Sequence, residues 1–188
     1  MQNGTLIDNK CKDACLELTI GIYSSEEKTL QTIEKLIKEK FPADQLSLLR
    51  KAGASGVGLA YTNTKERVKA WGKHGVVWGV LWGMSAGITG LFVLPGLGPL
   101  LAAGPVVDAL GEAIAGVTAP EDGTVLMQLA SALHSIGVPA SAIEQIHRAI
   151  ETDHYVIILQ CDSDQASHCA MRLGSVGADS VIMMATEH

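Results

Sequence analysis

The two ends of the chain are written in the same grammar, and this constrains the fold more than any other feature. Residues 16–23, LELTIGIY, alternate Leu16, Leu18, Ile20 and Ile22 with Glu17, Thr19, Gly21 and Tyr23, the period-two pattern of a half-buried strand. Ser24 and Glu27 are spaced as a capping box, and Leu30, Ile33, Ile37 and Phe41 then recur at helical intervals. Pro42 closes that helix ahead of a second strand over 45–51, QLSLLRK. At the other end HYVIILQC, 154–161, reads as a β-branched central strand. Asp162 and Gln165 then open a helix striped with Ala166, Ala170 and Leu173, and DSVIMMAT, 179–186, closes as a strand.

Two βαβ halves predict an α+β fold with a ferredoxin-like split βαβ sheet, four antiparallel strands carrying two helices on one face. The halves must meet to share one sheet, which assigns residues 1–51 and 154–188 to a single α+β domain. The intervening 52–153 is far too long for a structureless link and is expected to be a folded, helical insertion with an apolar hairpin over 69–117.

Within that insertion Asn63 and Glu66 can cap a long helix reaching Leu94, LPGLGP supplies a turn at Pro95, Gly96, Gly98 and Pro99, and a return leg follows. The return leg sets Val107, Leu110, Ile114 and Val117 against Asp108 and Glu112. Two shorter amphipathic helices come next, one with Leu126, Leu129, Leu133 and Ile136, the other opening at Ser141 with Ile143, Ile146 and Ile150. On the long helix Gly75, Gly79, Gly83 and Gly87 fall four residues apart, with Trp78 and Trp82 between them. Each glycine costs about 0.5–1 kcal/mol relative to alanine in a helix, so the line is expected to be a groove where another backbone packs closely.

From Gly75 to Val107 there is no charge. The stretch through Leu94 would span about 30 Å as a helix, the thickness of a bilayer's hydrocarbon core. Both ends of the insertion must return to one sheet, so a single span is excluded. Two readings stay open: a re-entrant membrane hairpin, or a hairpin buried among copies of the chain in a soluble homo-oligomer. Lys65, Arg67, Lys69 and Lys73 ahead of the apolar run suit anionic headgroups and equally a solvated first turn.

The Gly-rich apolar stretch followed by LPGLGPLLAAGPVVDALGEAIAG, set between two βαβ halves, resembles a bacterial general-stress-protein family with a glycine-rich hairpin inside a split α+β domain. The similarity runs from about Leu16 to Thr186, and its specific part is the PGLGP turn with the AAGP after it. The resemblance implies stress-linked expression, a membrane or self-associating role, and no catalytic residues to carry over. Four cysteines and three tryptophans depart from the family pattern.

A net charge of −6 and an aromatic content of 4% argue against a nucleic-acid partner. The opening MQNGTLIDNKCKDACLEL lacks the basic-then-apolar order of a secretory signal. Four cysteines do not make a disulfide framework in a chain of this size, so the expected setting is the reducing cytoplasm or the cytoplasmic side of an inner membrane. The strand order would bring Cys11, Cys15, Cys161 and His188 toward one corner, which admits a zinc site, a thiol pair, or simply reduced, partly buried cysteines. GASGVG, 53–58, matches neither a dinucleotide fingerprint nor a P-loop. With no nucleophile–base–acid pattern and no cofactor motif, the expectation is a non-enzymatic, stress-associated protein that assembles with itself through the glycine-lined hairpin. The alternative is a small-ligand or metal-sensing α+β module in which the hairpin is a dimer seam.

Overall fold

The computed structural model describes residues 16–52, 89–94, 97–116 and 125–186. The chain runs β1 (Leu16–Tyr23), α1 (Glu26–Lys38), β2 (Leu46–Lys51), β3 (Thr89–Leu94), β4 (Gly98–Ala103), α2 (Val106–Gly116), α3 (Val125–Ser135), α4 (Ala140–Glu151), β5 (Tyr155–Asp162), α5 (Ser163–Ser175) and β6 (Ser180–Ala185). The fold is α+β. Among the described residues six strands form one antiparallel sheet in the order β3-β4-β2-β5-β1-β6.

The apolar run of β5 accounts for its place at the centre. It pairs along its whole length with β1, from Leu16 opposite Asp162 to Tyr23 opposite Tyr155, and on its other side with β2, where Leu48 faces Ile157. Tyr155, Val156, Ile157, Ile158 and Leu159 are all buried, because both faces of the sheet are covered. One face is packed by α1 and α5: Ile33, Leu36, Cys169 and Leu173 close on Leu46, Leu48, Ile157 and Leu159. The other carries α2, α3 and α4, whose Leu110, Leu133, Ile146 and Ile150 meet Leu18, Ile20, Leu49, Val156 and Ile158. Double coverage also explains why β1, which alternates like a half-exposed strand, buries Thr19 and Tyr23 as fully as Leu18 and Ile20.

The segment expected to be a helical hairpin departs from that expectation where it is described. Among the described residues, 89–94 are the outermost strand of the sheet rather than the end of a helix, and they turn back into β4 with Leu94 opposite Gly98. β4 in turn pairs with β2, Leu48 opposite Ala103 through Lys51 opposite Leu100, and Ala52 N–H extends the ladder by donating to the Pro99 carbonyl at 2.7 Å. The unsatisfied edge of β2 is the physical reason: an apolar run placed there gains backbone hydrogen bonds as well as burial. After Gly104 and Pro105 the described chain enters α2, with Val106, Ala109 and Leu110 buried and Asp108 and Glu112 exposed.

The helix starts also differ in detail from the capping boxes read in the sequence. Ser25, not Ser24, precedes α1; α4 begins at Ala140 behind Pro139; and neither Ser25, Pro139 nor Asp162 makes a side-chain cap hydrogen bond. The Ser24 N–H donates to the Asp179 carboxylate at 2.5 Å, binding the β1–α1 corner to the entry of β6.

Candidate functional site

The residues proposed for self-assembly divide between described and undescribed parts of the chain. Gly75, Gly79, Gly83, Gly87, Trp78 and Trp82 lie outside the described residues, as do Pro95 and Gly96 of the turn. Gly98 and Pro99 open β4, so the turn joins two strands instead of two helices. With 89–94 committed to the sheet, the uncharged stretch left ahead of it is 75–88. As a helix that would reach about 21 Å, short of the ~30 Å of a bilayer core. Among the described residues no helix is long and apolar enough to cross a membrane.

The corner proposed for metal or thiol chemistry is also altered. Cys11, Cys15 and His188 lie outside the described residues. Cys161 is joined to Cys169 in a disulfide that links the end of β5 to the middle of α5. A bonded sulfur cannot serve as a thiolate ligand, so Cys161 leaves the metal set, and the expectation that it is reduced is corrected as well. Among the described residues no group of three or more histidine, cysteine or acidic side chains could hold a metal ion.

What the described structure does place on its surface is the outer strand β3. Its sequence, TGLFVL, has no charged residue and no proline. Period-two geometry and the pairings Leu91 opposite Leu101 and Phe92 opposite Leu100 fix its two faces. Phe92 turns toward α2 and α3 and packs on the core there. Leu91 and Val93 take the opposite face, the one that α1 and α5 cover over β1, β5 and β6; here Leu91 is 37% and Val93 64% exposed. The other outer strand, β6, is also uncharged but exposes a single large apolar side chain, Met183. An uncharged outer strand with exposed apolar side chains is a template for pairing with a further strand, and neither edge carries the lysine or proline that ordinarily blunts one.

On the same face as Leu91, one strand inward from Leu101, sits a charged side chain that composition and motif reading passed over. Arg50 lies opposite Leu101, and its guanidinium stacks 4.4 Å from the centroid of the Tyr155 ring. The signal was present in LSLLRK, because Leu46, Leu48 and Arg50 share a face and the first two are buried. The Arg50 Nε is buried without a hydrogen-bond partner, and Tyr155 is only 2% exposed. Burial raises the Tyr155 hydroxyl well above its ordinary value; the Arg50 charge works against that rise and Glu26 adds to it.

A second polar group lies beside this pair on the neighbouring strand, where Tyr23 is opposite Tyr155. The Tyr23 hydroxyl donates to the Leu173 carbonyl at 3.1 Å, and burial pushes it up to about 12, opposed by a hydrogen bond with Thr32 and assisted by the Asp179 charge. Asp179 is held below the ordinary carboxylate value by hydrogen bonds from Ser24, with smaller help from the Lys28 ammonium 3.9 Å away. These groups brace the ends of strands and helices against one another. Comparison of the chain with protein-family models, with curated proteins and with solved structures finds no match.

Proposed function

We propose that this chain is a non-enzymatic self-assembling protein whose sheet extends from one copy to the next through β3. The observation that carries the reading is the outward face of that strand: uncharged along its length, with Val93 64% and Leu91 37% exposed. Backbone groups on an open edge supply direction and register, and the exposed valine and leucine supply apolar area worth about 25 cal/mol per Å² removed from water. The glycine ladder of 75–87 runs into β3 two residues later in sequence, so close packing along Gly79 and Gly83 and edge pairing along 89–94 are read as parts of one assembly surface.

The strand order β2-β5-β1-β6, with α1 and α5 on one face, supports reading the two chain ends as a ferredoxin-like split βαβ core. On that reading β3 and β4 widen the core on the β2 side and carry its edge outward. The link to bacterial stress proteins rests on the resemblance of PGLGP and AAGP alone. Shortening of the apolar stretch to 75–88 favours a second copy of the chain over a lipid bilayer as the partner.

Sedimentation velocity on the full chain tests the reading. The wild type sediments as an oligomer whose size falls on dilution; Val93→Lys, which places a charge on the edge, shifts it to smaller species, while Met183→Lys on the opposite edge leaves it unchanged. Assembly that is indifferent to Val93→Lys rejects the proposal.

A further inference from the structure

We propose that the Cys161–Cys169 disulfide is a redox latch holding the N-terminal half of α5 on the sheet. The two halves of this helix are anchored very differently. The C-terminal half buries Leu173, accepts the Tyr23 hydroxyl at the Leu173 carbonyl, pairs Arg172 Nε with Glu39 at 2.5 Å, and receives a hydrogen bond from Lys35 Nζ at Ser175 Oγ, 2.6 Å. The N-terminal half offers far less. Ala166 is its one fully buried side chain ahead of Cys169, and an alanine contributes little apolar area. Its polar tie, Ser163 Oγ donating to Glu17 at 2.6 Å, is exposed to solvent. The bond from Cys169 to Cys161, with both residues at most 2% exposed, is therefore the principal hold on residues 163–169.

An independent feature of the strand beneath points the same way. Thr19 lies on the face of β1 covered by α5, is fully buried, and has a hydroxyl with no hydrogen-bond partner. A buried hydroxyl without a partner costs free energy that hydration recovers, so lifting the N-terminal half of α5 is opposed less than burial alone would suggest. Local opening of a weakly anchored segment is also the route by which a reductant reaches sulfurs that are closed to solvent.

The chemistry is thiol–disulfide exchange with a dithiol. One thiolate of the reductant attacks a sulfur of the pair, forming a mixed disulfide and releasing the other cysteine as a thiolate; the reductant's second thiolate then displaces the remaining cysteine. Two electrons and two protons pass to the protein, which ends with two thiols, and the reductant ends as its own disulfide. With the bond gone, residues 163–169 detach while the C-terminal half of α5 stays docked.

Hydrogen–deuterium exchange on the full chain, oxidised and then treated with dithiothreitol, reads this directly. Reduction should lower protection of the amides of 167–170 at least tenfold and leave those of Leu173 and of the β5 centre unchanged. The Cys161→Ser/Cys169→Ser chain should show the reduced pattern with or without dithiothreitol. Unchanged protection in α5 after reduction overturns the latch, as does loss of protection across the whole sheet, which would make the bond a global staple. A dithiothreitol response that persists in the double variant also overturns it, assigning the effect to other cysteines. Should the double variant fail to fold, the wild-type comparison decides by the same criteria.

Discussion

Gly104 stands against the carbonyl of Leu46 so closely that a Cβ added to it would lie 2.0 Å from the Leu46 oxygen. Its φ of +84° is in the left-handed region that side chains seldom adopt, and the neighbouring Val106 N–H donates to Ser47 Oγ at 3.3 Å. One glycine thus lets the chain leave β4, pass over the start of β2 and enter α2. Gly104→Ala adds a backbone collision to a strained φ and is expected to cost more than about 3 kcal/mol, measured by urea unfolding. Gly98→Ala, where φ is +87° but a Cβ meets nothing within 4 Å, should cost only about 1 kcal/mol. Equal effects of the two would remove the collision as the cause.

Arg50 and Tyr155 give a spectroscopic prediction. The guanidinium over the ring lowers the phenol's proton affinity against the stronger effect of burial, so Arg50→Gln should move Tyr155 ionisation further up in an ultraviolet pH titration. Loss of the stacked cation should also cost about 1 kcal/mol of stability. A downward shift of the phenol would show that Arg50 does not act on it through its charge.

The pH dependence of stability follows from one corner of the sheet, where Asp179 is tied to Ser24 beside Tyr23. Tyr23 has a folded value of about 12 against an ordinary 10.0, so the folded state holds its proton more tightly than the unfolded chain does. That contribution is complete below pH 10 and is lost as pH rises from 10 toward 12. Asp179 behaves in the opposite sense: its folded value lies below 3.8, so its contribution is complete above about pH 4 and disappears as pH falls through the folded value. Thermal unfolding of Tyr23→Phe should show a shallower alkaline decline than wild type, and Asp179→Asn a shallower acid one; unchanged slopes would dissociate these residues from the pH response.

The packing of α4 offers a test of the double-sided core. Ile146 and Ile150 are fully buried against the sheet face opposite α5. Ile146→Ala should cost about 2–5 kcal/mol, whereas alanine at the exposed Glu144 should stay within about 0.5 kcal/mol. A small loss at Ile146 would mean that α4 is not part of the core.

The chain ends were legible because alternation and β-branching decide a strand within a few residues: β1, β2, β5 and β6 fall within a residue or so of the patterns in LELTIGIY, QLSLLRK, HYVIILQC and DSVIMMAT. The stretch around GLFVLPGLGPLLAA was not. Short uncharged apolar runs look alike as strand and as helix, and what chose between them was the vacant edge of β2, a tertiary partner that periodicity cannot show. The PGLG turn was visible, while the kind of hairpin it closes was not. Likewise Arg50 was hidden by its charge, although its spacing from Leu46 and Leu48 placed it on the buried face, and Cys169 by a sequence separation of 8 from its partner across β5 and α5.

The central claim is that β3 is an assembly edge, and residue-resolved amide exchange of Thr89–Leu94 at two protein concentrations tests it most directly. At high dilution alternate amides of the strand, those turned away from β4, should exchange as freely as solvent-exposed groups while their neighbours stay protected. At high concentration the outward set should gain protection together with the rise in sedimentation coefficient. An exchange pattern of β3 that is the same at both concentrations, in a sample that does change its association state, contradicts the account.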